Sequence, residues 1–284
     1  MLPNKNNGGY CHDMAYHHDR SHPALSICPR AQALPPRCHA RLFRHHVRPQ
    51  GLSLQGARHT GKFYEAFRAA IARGYGIELD LHLTKDGRLA VFHDDTLERM
   101  CKRTETVEEL TSLELSSCTL LDTDETIPMF EDVLTLVRGR VPLLIELKIP
   151  TASLQICEEV LRQMRNYQGP FLIQSFNTMG LRWFKLHATD LLRGQLSSNL
   201  TAKKTRESWF LKFMVKYLLA NFLGRPDFIS YKLADLPVMN VWILKHIFHT
   251  PVAVWTLKTP EALLTGKSAM IFRFLKNPMK IINK

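Results

Sequence analysis

Short apolar runs alternate along the 284-residue chain with longer segments whose apolar residues recur every three or four positions. Near-continuous apolar runs are typical of strands buried on both faces of a parallel sheet, and the longer spacing is typical of helices. The pattern therefore predicts an α/β fold of repeated strand–helix units. The predicted strands are 76–81, 88–93, 142–148, 170–175, 192–197, 227–231, 252–256 and 269–273. The predicted helices are 63–73, 107–115, 129–138, 151–166, 178–187, 206–223, 237–248 and 260–266.

Two carboxylates interrupt the first of these strands. Glu78 and Asp80 are two residues apart, so both point to the same side of a strand that is otherwise apolar. Their charges repel and lose hydration on burial, so a compensating partner is needed, and a divalent cation with oxygen ligands is the usual one. The turn at 85–87 then predicts a hairpin that returns His93 and Asp94 towards this strand.

A second charged pair ends the strand at 142–148. Glu146 and Lys148 are again two residues apart, after a run of apolar residues. Charged residues at the C-terminal end of a parallel strand lie where barrel and open-sheet enzymes keep their chemistry. The alternative is a purely structural Glu–Lys ion pair. Because two strands of one chain carry charged pairs with the same spacing, a functional site is favoured over a structural ion pair.

These residues belong to an ordered set of motifs. The set consists of Glu78-Leu-Asp80, Thr84-Lys-Asp-Gly87, His93-Asp94, Glu146-Leu-Lys148, Ser175-Phe176 and Trp255-Thr256. Over roughly residues 63–275 it resembles the glycerophosphodiester phosphodiesterase family. The resemblance implies a TIM (β/α)8 barrel with a small hairpin and helical insertion after the second strand. Eight barrel strands are reached when a lost first strand near 45–50 is counted.

The resemblance also implies an activity, the hydrolysis of a small-molecule glycerophosphodiester to sn-glycerol 3-phosphate and an alcohol. Glu78, Asp80 and Glu146 would hold one Mg²⁺ or Ca²⁺ that polarises the phosphate. Lys148 would bind the phosphate and offset its charge in the transition state. His93 would act as general acid or base, the alternative for it being a structural role. Trp255 either walls the substrate site or fills the barrel mouth.

Two family motifs, His-Arg-Gly and Pro-Glu-Asn, are missing from the sequence. In the family, the first of them supplies a catalytic His and a phosphate-binding Arg. Read one nucleotide later, degenerate codons for Pro49-Gln-Gly-Leu52 permit His-Arg-Gly, and those for 59–63 permit Ile-Pro-Glu-Asn. We interpret this region as frame-shifted, a hypothesis that the nucleotide sequence decides. The chain as it stands is then expected to be weakly active or inactive.

Composition separates residues 1–62 from the rest. They hold eight of the thirteen His, and nine Lys or Arg against two acids, so they carry +7 of the net +12. Their apolar residues recur with neither the strand period of 2 nor the helix period of 3.6. They also lack the spacing of metal ligands and the aromatic residues among basic ones that nucleic-acid binders show. They are therefore predicted to be an unstructured or frame-shifted leader and not a nucleic-acid-binding arm. Residues 63–284 are the predicted barrel. The leader has no signal-peptide core, and the six cysteines show no paired spacing, so a cytoplasmic location is expected.

One apolar stretch, 209–223, has two possible positions. It is too short, and too interrupted by Lys212 and Lys216, to span a bilayer. It either packs on its own barrel or lies on a membrane surface. The second possibility leads to an alternative function, a lysophospholipid phosphodiesterase at a membrane surface. A further alternative is an inactive barrel that binds a metal or a phosphodiester.

Overall fold

The computed structural model describes residues 51–53, 62–202, 208–257 and 272–276. Across these ranges nine strands form one sheet. The strands are β1 (Gly51–Ser53), β2 (Ile77–Leu83), β3 (Leu89–Val91), β4 (Leu143–Leu147), β5 (Phe171–Ser175), β6 (Arg193–Ser197), β7 (Phe228–Lys232), β8 (Val252–Leu257) and β9 (Phe272–Lys276). The predicted strands from 76–81 to 252–256 each match one of them to within two residues at either end.

The sheet closes on itself. The strand order is β1-β9-β8-β7-β6-β5-β4-β2, every neighbouring pair in it is parallel, and β1 pairs with β2 as well as with β9. One edge of β2 pairs with two strands. Ile77 and Glu78 pair with β1, and residues 81–83 pair antiparallel with β3. Eight parallel strands in a ring are a TIM barrel, and the β2–β3 hairpin starts the insertion after the second strand. The predicted fold is confirmed.

Helices follow the strands in alternation. Those of the described ranges are α1 (Phe63–Ala72), α2 (Glu98–Cys101), α3 (Ser112–Ser116), α4 (Phe130–Val137), α5 (Gln155–Met164), α6 (Thr178–His187), α7 (Trp209–Lys216), α8 (Asn221–Gly224) and α9 (Met239–His246). Their buried residues, such as Phe67 and Phe130, pack against the outer face of the barrel in the largest apolar cluster. Short helices α2 and α3 belong to the insertion.

Two predicted helices are broken in the structure. The predicted helix 107–115 is a 3₁₀ turn, Val107–Glu109, followed by α3, because two capping boxes come in succession. In each box the Thr side chain, of Thr106 or Thr111, accepts a hydrogen bond from the backbone N–H three residues later. The Glu at that later position in turn accepts a hydrogen bond from the backbone N–H of the Thr. The predicted helix 206–223 is α7 and α8, because Leu218 between them adopts a left-handed backbone with φ +58°.

The N-terminal prediction is corrected in one respect. A first strand near 45–50 was expected to be lost, yet β1 occupies Gly51–Ser53 and completes the ring. The leader apart from these residues, nearly all of the frame-shifted region, and the predicted helix 260–266 lie outside the described residues. The predicted strand 269–273 is β9, found three residues later.

An apolar layer fills the barrel interior. Leu144, Phe228 and Ala253 pack together although β4 is not a neighbour of β7 or β8 in the ring, so their side chains meet across the interior. Since alternate residues of a strand share a face, this contact identifies the inward positions of three strands. Every second residue after these three, towards the C-terminal end of each strand, also points inward and lines the barrel mouth.

Gly194 makes this layer possible and provides a test of it. A Cβ at Gly194 would lie 2.2 Å from the Phe228 ring. We expect Gly194→Ala to lower the free energy of unfolding by about 1–3 kcal/mol, because the ring has to move within a filled interior. Adding Phe228→Leu should recover part of the loss. Urea unfolding measures both, and an unchanged midpoint for Gly194→Ala would contradict this packing.

Candidate active site

The carboxylates predicted on β2 and β4 all point into the barrel. In the parallel pairing Glu78 lies beside Leu144, and Asp80 lies beside Glu146. Neighbours in register share a face, and Leu144 points into the barrel, so all three carboxylates point inward. Asp80 and Glu146 are both buried. The structure therefore brings together the three predicted metal ligands.

Lys148 joins two of these carboxylates. Its Nζ lies 3.1 Å from Oδ1 of Asp80 and 2.5 Å from Oε1 of Glu146. Its backbone N–H donates to the Leu81 carbonyl at 3.0 Å, which fixes the chain where β4 ends. The ion pair that was an alternative for Glu146 and Lys148 is thus present, and it extends to Asp80.

Gln174 holds the third carboxylate. Its Nε2 donates to Oε1 of Glu78 at 3.0 Å, and in the sheet it lies beside Glu146. Gln174 is fully buried and its own Oε1 has no hydrogen-bond partner among the described residues. Gln174 was not among the predicted site residues. The signal was a single amide within the apolar run of β5, at the inward position.

Burial and like charge control protonation in this cluster. The pKa of Glu146 is raised, first by burial and then by the charges of Asp80 and Glu78, against the opposing effect of Lys148. Burial alone would lower the pKa of Lys148, but the charges of Glu146 and Asp80 outweigh it and raise that pKa. Lys148 is therefore an ammonium. Three inward carboxyl groups lie near a single ammonium, so the cluster favours an additional cation.

The donor chemistry fits Mg²⁺ or Ca²⁺, since both prefer carboxylate oxygens. The side chains as they stand are not arranged around one ion, however. Over the residues that the structure describes, no group of three or more His, Cys, Asp or Glu side chains is placed to hold a metal. The reason is visible in the cluster, where the Lys148 ammonium lies between Asp80 and Glu146.

His93 is delivered beside this cluster by the hairpin. The N–H of Phe92 donates to the Asp80 carbonyl at 2.9 Å, so His93 follows directly after a residue tied to β2. Its Nδ1 lies 2.7 Å from Oδ1 of Asp94, and Nε of Arg99 donates to Oδ2 of Asp94 at 2.6 Å. Burial raises the pKa of Asp94, but the hydrogen bonds from His93 and Arg99 lower it far more. Asp94 is thus a carboxylate that orients the imidazole.

Trp255 lies at the opposite side of the mouth. It alternates with inward Ala253 on β8, and its indole N–H donates to the Ser230 carbonyl at 3.3 Å. Its ring meets Phe176 edge-on at a centroid distance of 6.1 Å. Trp255 and Phe176 form an aromatic wall facing the charged side of the barrel, which is compatible with both roles predicted for Trp255.

Two further polar residues at the mouth were missed. Lys232 pairs with Trp255 in the sheet and alternates with inward Phe228, and its Nζ lies 3.7 Å from Oδ1 of Asp235. His82 follows Asp80 on the same face of β2, and its Nδ1 lies 2.7 Å from Oε1 of Glu108 in the insertion. Their signal was the continuation of a polar alternation, which runs from Glu78 and Asp80 to His82 on β2 and from Ser230 to Lys232 on β7.

Comparison with known proteins agrees with this geometry. Residues 56–269 match the model of the Glycerophosphoryl diester phosphodiesterase family. A glycerophosphodiester phosphodiesterase of Bacillus altitudinis is 37% identical over 131 residues, which are 42% of this chain and 54% of that protein. One of Caldanaerobacter subterraneus is 32% identical over 146 residues, 46% of this chain and 58% of that protein. The chain thus spans about half the length of the curated relatives it matches.

Solved structures share the fold. A phosphodiesterase of Oleispira antarctica, in complex with the product sn-glycerol-3-phosphate, superposes with a TM-score of 0.64 at 19% identity, over 77% of this chain and 88% of that one. The glycerophosphodiester phosphodiesterase of Thermotoga maritima gives 0.61 at 22% identity, over 81% and 95%. Identities this low establish the barrel alone, whereas the family match covers most of the sequence. The chain belongs to the glycerophosphoryl diester phosphodiesterase family.

Proposed function

We propose that this barrel hydrolyses glycerophosphodiesters to sn-glycerol 3-phosphate and an alcohol with the help of a divalent cation. The observation that carries the proposal is the inward cluster of Asp80, Glu146 and Lys148 towards the C-terminal ends of β2 and β4, with Glu78 one inward position deeper in the barrel. Active sites of TIM barrels lie at this end. Family membership supports the reaction, and so does the product bound to the Oleispira antarctica phosphodiesterase.

The cation is part of the proposal. Glu78, Asp80 and Glu146 would hold Mg²⁺ or Ca²⁺, which as a Lewis acid lowers the cost of negative charge on the phosphate. Lys148 would move from its carboxylate partners towards a nonbridging phosphate oxygen and neutralise charge that develops there. The aromatic wall of Phe176 and Trp255 would contact the carbon atoms of the glycerol or the alcohol.

His93 transfers a proton in this scheme. Its bond to the Asp94 carboxylate places a proton on Nδ1 and leaves Nε2 to exchange a proton with the attacking or leaving oxygen. The motif that supplies the family's second His is missing from the sequence. The chain as it stands is therefore proposed to be impaired, and a frame-restored chain, with 49–62 read one nucleotide later, is proposed to be fully competent.

Choice of substrate is tested with two diesters. The frame-restored chain is incubated with glycerophosphocholine, and separately with lysophosphatidylcholine, and released phosphate esters are identified. Release of sn-glycerol 3-phosphate from glycerophosphocholine is the expected result. Preference for lysophosphatidylcholine would replace the proposal by the lysophospholipid alternative, which the exposed aromatic residues of α7 favour. If the folded protein binds the cation but hydrolyses neither diester, the alternative of an inactive binding barrel remains.

Removal of the imidazole is expected to slow turnover. We expect His93→Gln in the frame-restored chain to lower kcat by about 10²–10⁴-fold, since this is the usual contribution of a positioned acid or base. His187→Gln is the matched control, because His187 is an exposed residue of α6. Equal turnover in both variants would exclude His93 from the chemistry.

A further inference from the structure

Exposed large apolar side chains are concentrated in one stretch of the chain. Nine of the twelve exposed large apolar side chains in the described ranges fall between residues 209 and 248. They are Trp209, Phe210, Leu211, Leu219, Phe222, Met239, Trp242, Ile247 and Phe248, here called the α7–α9 patch. The remaining three are scattered, as single exposed apolar residues usually are. So many exposed apolar side chains in one stretch indicate a surface that binds a partner.

Part of the patch is joined to the barrel mouth. Ser197 Oγ, at the end of β6, donates to the Val215 carbonyl of α7 at 2.7 Å, and Tyr231 OH, near the end of β7, donates to the Lys216 carbonyl at 3.1 Å. Asn240 of α9 donates to the Tyr217 carbonyl at 2.6 Å. The residues of α7 and the start of α9 therefore lie at the end of the barrel that carries the candidate active site.

Charge around the patch has one sign. From 208 to 257 the sequence holds five Lys or Arg against two acids, a net charge of +3, and four of the five cations are at least partly exposed while Lys212 is buried. Both acids face a cation, with Asp227 Oδ2 at 3.8 Å from Arg193 Nη1 and Asp235 Oδ1 at 3.7 Å from Lys232 Nζ. A partner that suits this surface is apolar where it meets the aromatic side chains and negatively charged around them.

We propose that the α7–α9 patch binds an anionic lipid surface and places the barrel mouth against it. Trp and Phe side chains enter the boundary between headgroups and acyl chains, where such residues are enriched, and the net positive charge of the segment attracts anionic headgroups. The protein lies on the surface: in the described ranges no helix combines the length and apolarity needed to cross a bilayer.

Two other occupants fit less well. In a symmetric dimer the same patch would face itself and bring two positive surfaces together, which costs free energy. Residues 1–62 carry +7 and would be repelled from the patch in the same way. A lipid surface is the partner that matches both the apolar residues and the charge.

The test is co-sedimentation of the full chain with vesicles. Vesicles of phosphatidylglycerol and phosphatidylcholine in equal parts are compared with phosphatidylcholine alone, and the variant carries Trp209→Ser and Phe210→Ser, each 66% exposed. The anionic vesicles are expected to bind the unaltered chain, and the variant is expected to bind on the order of tenfold more weakly, because two interfacial anchors are lost. The control carries Leu113→Ser and Leu186→Ser, at 80% and 61% exposure, and should bind like the unaltered chain.

Every other outcome contradicts the proposal. No binding of the unaltered chain would overturn it, and equal binding by the Trp209/Phe210 variant would assign the affinity to the basic leader, which all variants share. A dimer in light scattering that this variant converts to a monomer would assign the patch to a second copy. Vesicle binding is read without turnover, so the result is independent of the catalytic proposal.

Discussion

Glu146→Gln is expected to remove divalent-cation binding and to lower kcat of the frame-restored chain by about 10³-fold, because a bound metal supplies several kcal/mol of transition-state stabilisation. Glu146 is central in the cluster, since it lies beside both Asp80 and Gln174 in the sheet and bonds Lys148. Calorimetric titration with Mg²⁺ and Ca²⁺ measures binding directly. Glu158→Gln, an exposed residue of α5, is the control and should change neither quantity.

The same variant should gain stability when no cation is present. The pKa of Glu146 is raised in the folded protein, so its stabilising contribution is complete below its ordinary value of 4.5 and is lost as the pH rises towards the raised value. Glutamine has no charge to bury, and Asp80 still pairs Lys148 at 3.1 Å. In EDTA, Glu146→Gln should therefore become more stable relative to the unaltered chain between about pH 5 and pH 8. A variant that binds Ca²⁺ normally, or that loses stability over this range, would contradict the role given to Glu146.

Lys148→Met is expected to have the largest effect on stability. Without the ammonium, Asp80 and Glu146 remain buried side by side with no cation between them, and breaking a buried pair in this way costs about 3–5 kcal/mol. Turnover of the frame-restored chain should also be lost. A divalent cation binds the same carboxylates, so Mg²⁺ or Ca²⁺ should restore much of the stability and none of the turnover.

Urea unfolding of Lys148→Met in EDTA and in excess Ca²⁺ measures this rescue. The control is Lys102→Met, whose ion pair with Asp122 is exposed, so its removal should cost little under both conditions. Equal stability of Lys148→Met with and without Ca²⁺ would mean that the carboxylates do not form a cation site.

Patterns within single segments predicted most of the fold. The bounds of β2, β4 and α6 agree with the apolar spacing to within two residues, because the two strands are buried over most of their length, α6 has one buried face, and all three are flanked by turn residues. The break between α7 and α8 was not predictable in this way, since Leu218 carries no sign of the left-handed backbone that it adopts. The double capping box at Thr106 and Thr111 was readable as two Thr-x-x-Glu motifs and was overlooked.

The candidate site was predictable where it depends on one strand and not where it depends on several. Glu78 with Asp80, and Glu146 with Lys148, stand out within their own strands, so both pairs were found. The partners of these pairs depend on register. Gln174 reaches Glu78 only through the β4–β5 alignment, and His82 reaches Glu108 only because the insertion folds back over β2.

The sequence predicts either an ion pair or a metal site for these residues, and the structure is compatible with both. Lys148 lies between carboxylates whose oxygens suit a divalent cation, so the two descriptions concern the same residues. Metal binding remains a prediction, as do the roles of His93 and Trp255 and the cytoplasmic location.

Release of sn-glycerol 3-phosphate from glycerophosphocholine tests the central claim most directly. The unaltered chain, the frame-restored chain and its Glu146→Gln variant are each assayed with Mg²⁺, with Ca²⁺ and with EDTA. Rapid release by the frame-restored chain with a cation is predicted, together with weak or no release by the other two and none in EDTA. Undiminished release in EDTA, or by the Glu146→Gln variant, would show that the carboxylate cluster does not bind a catalytic cation.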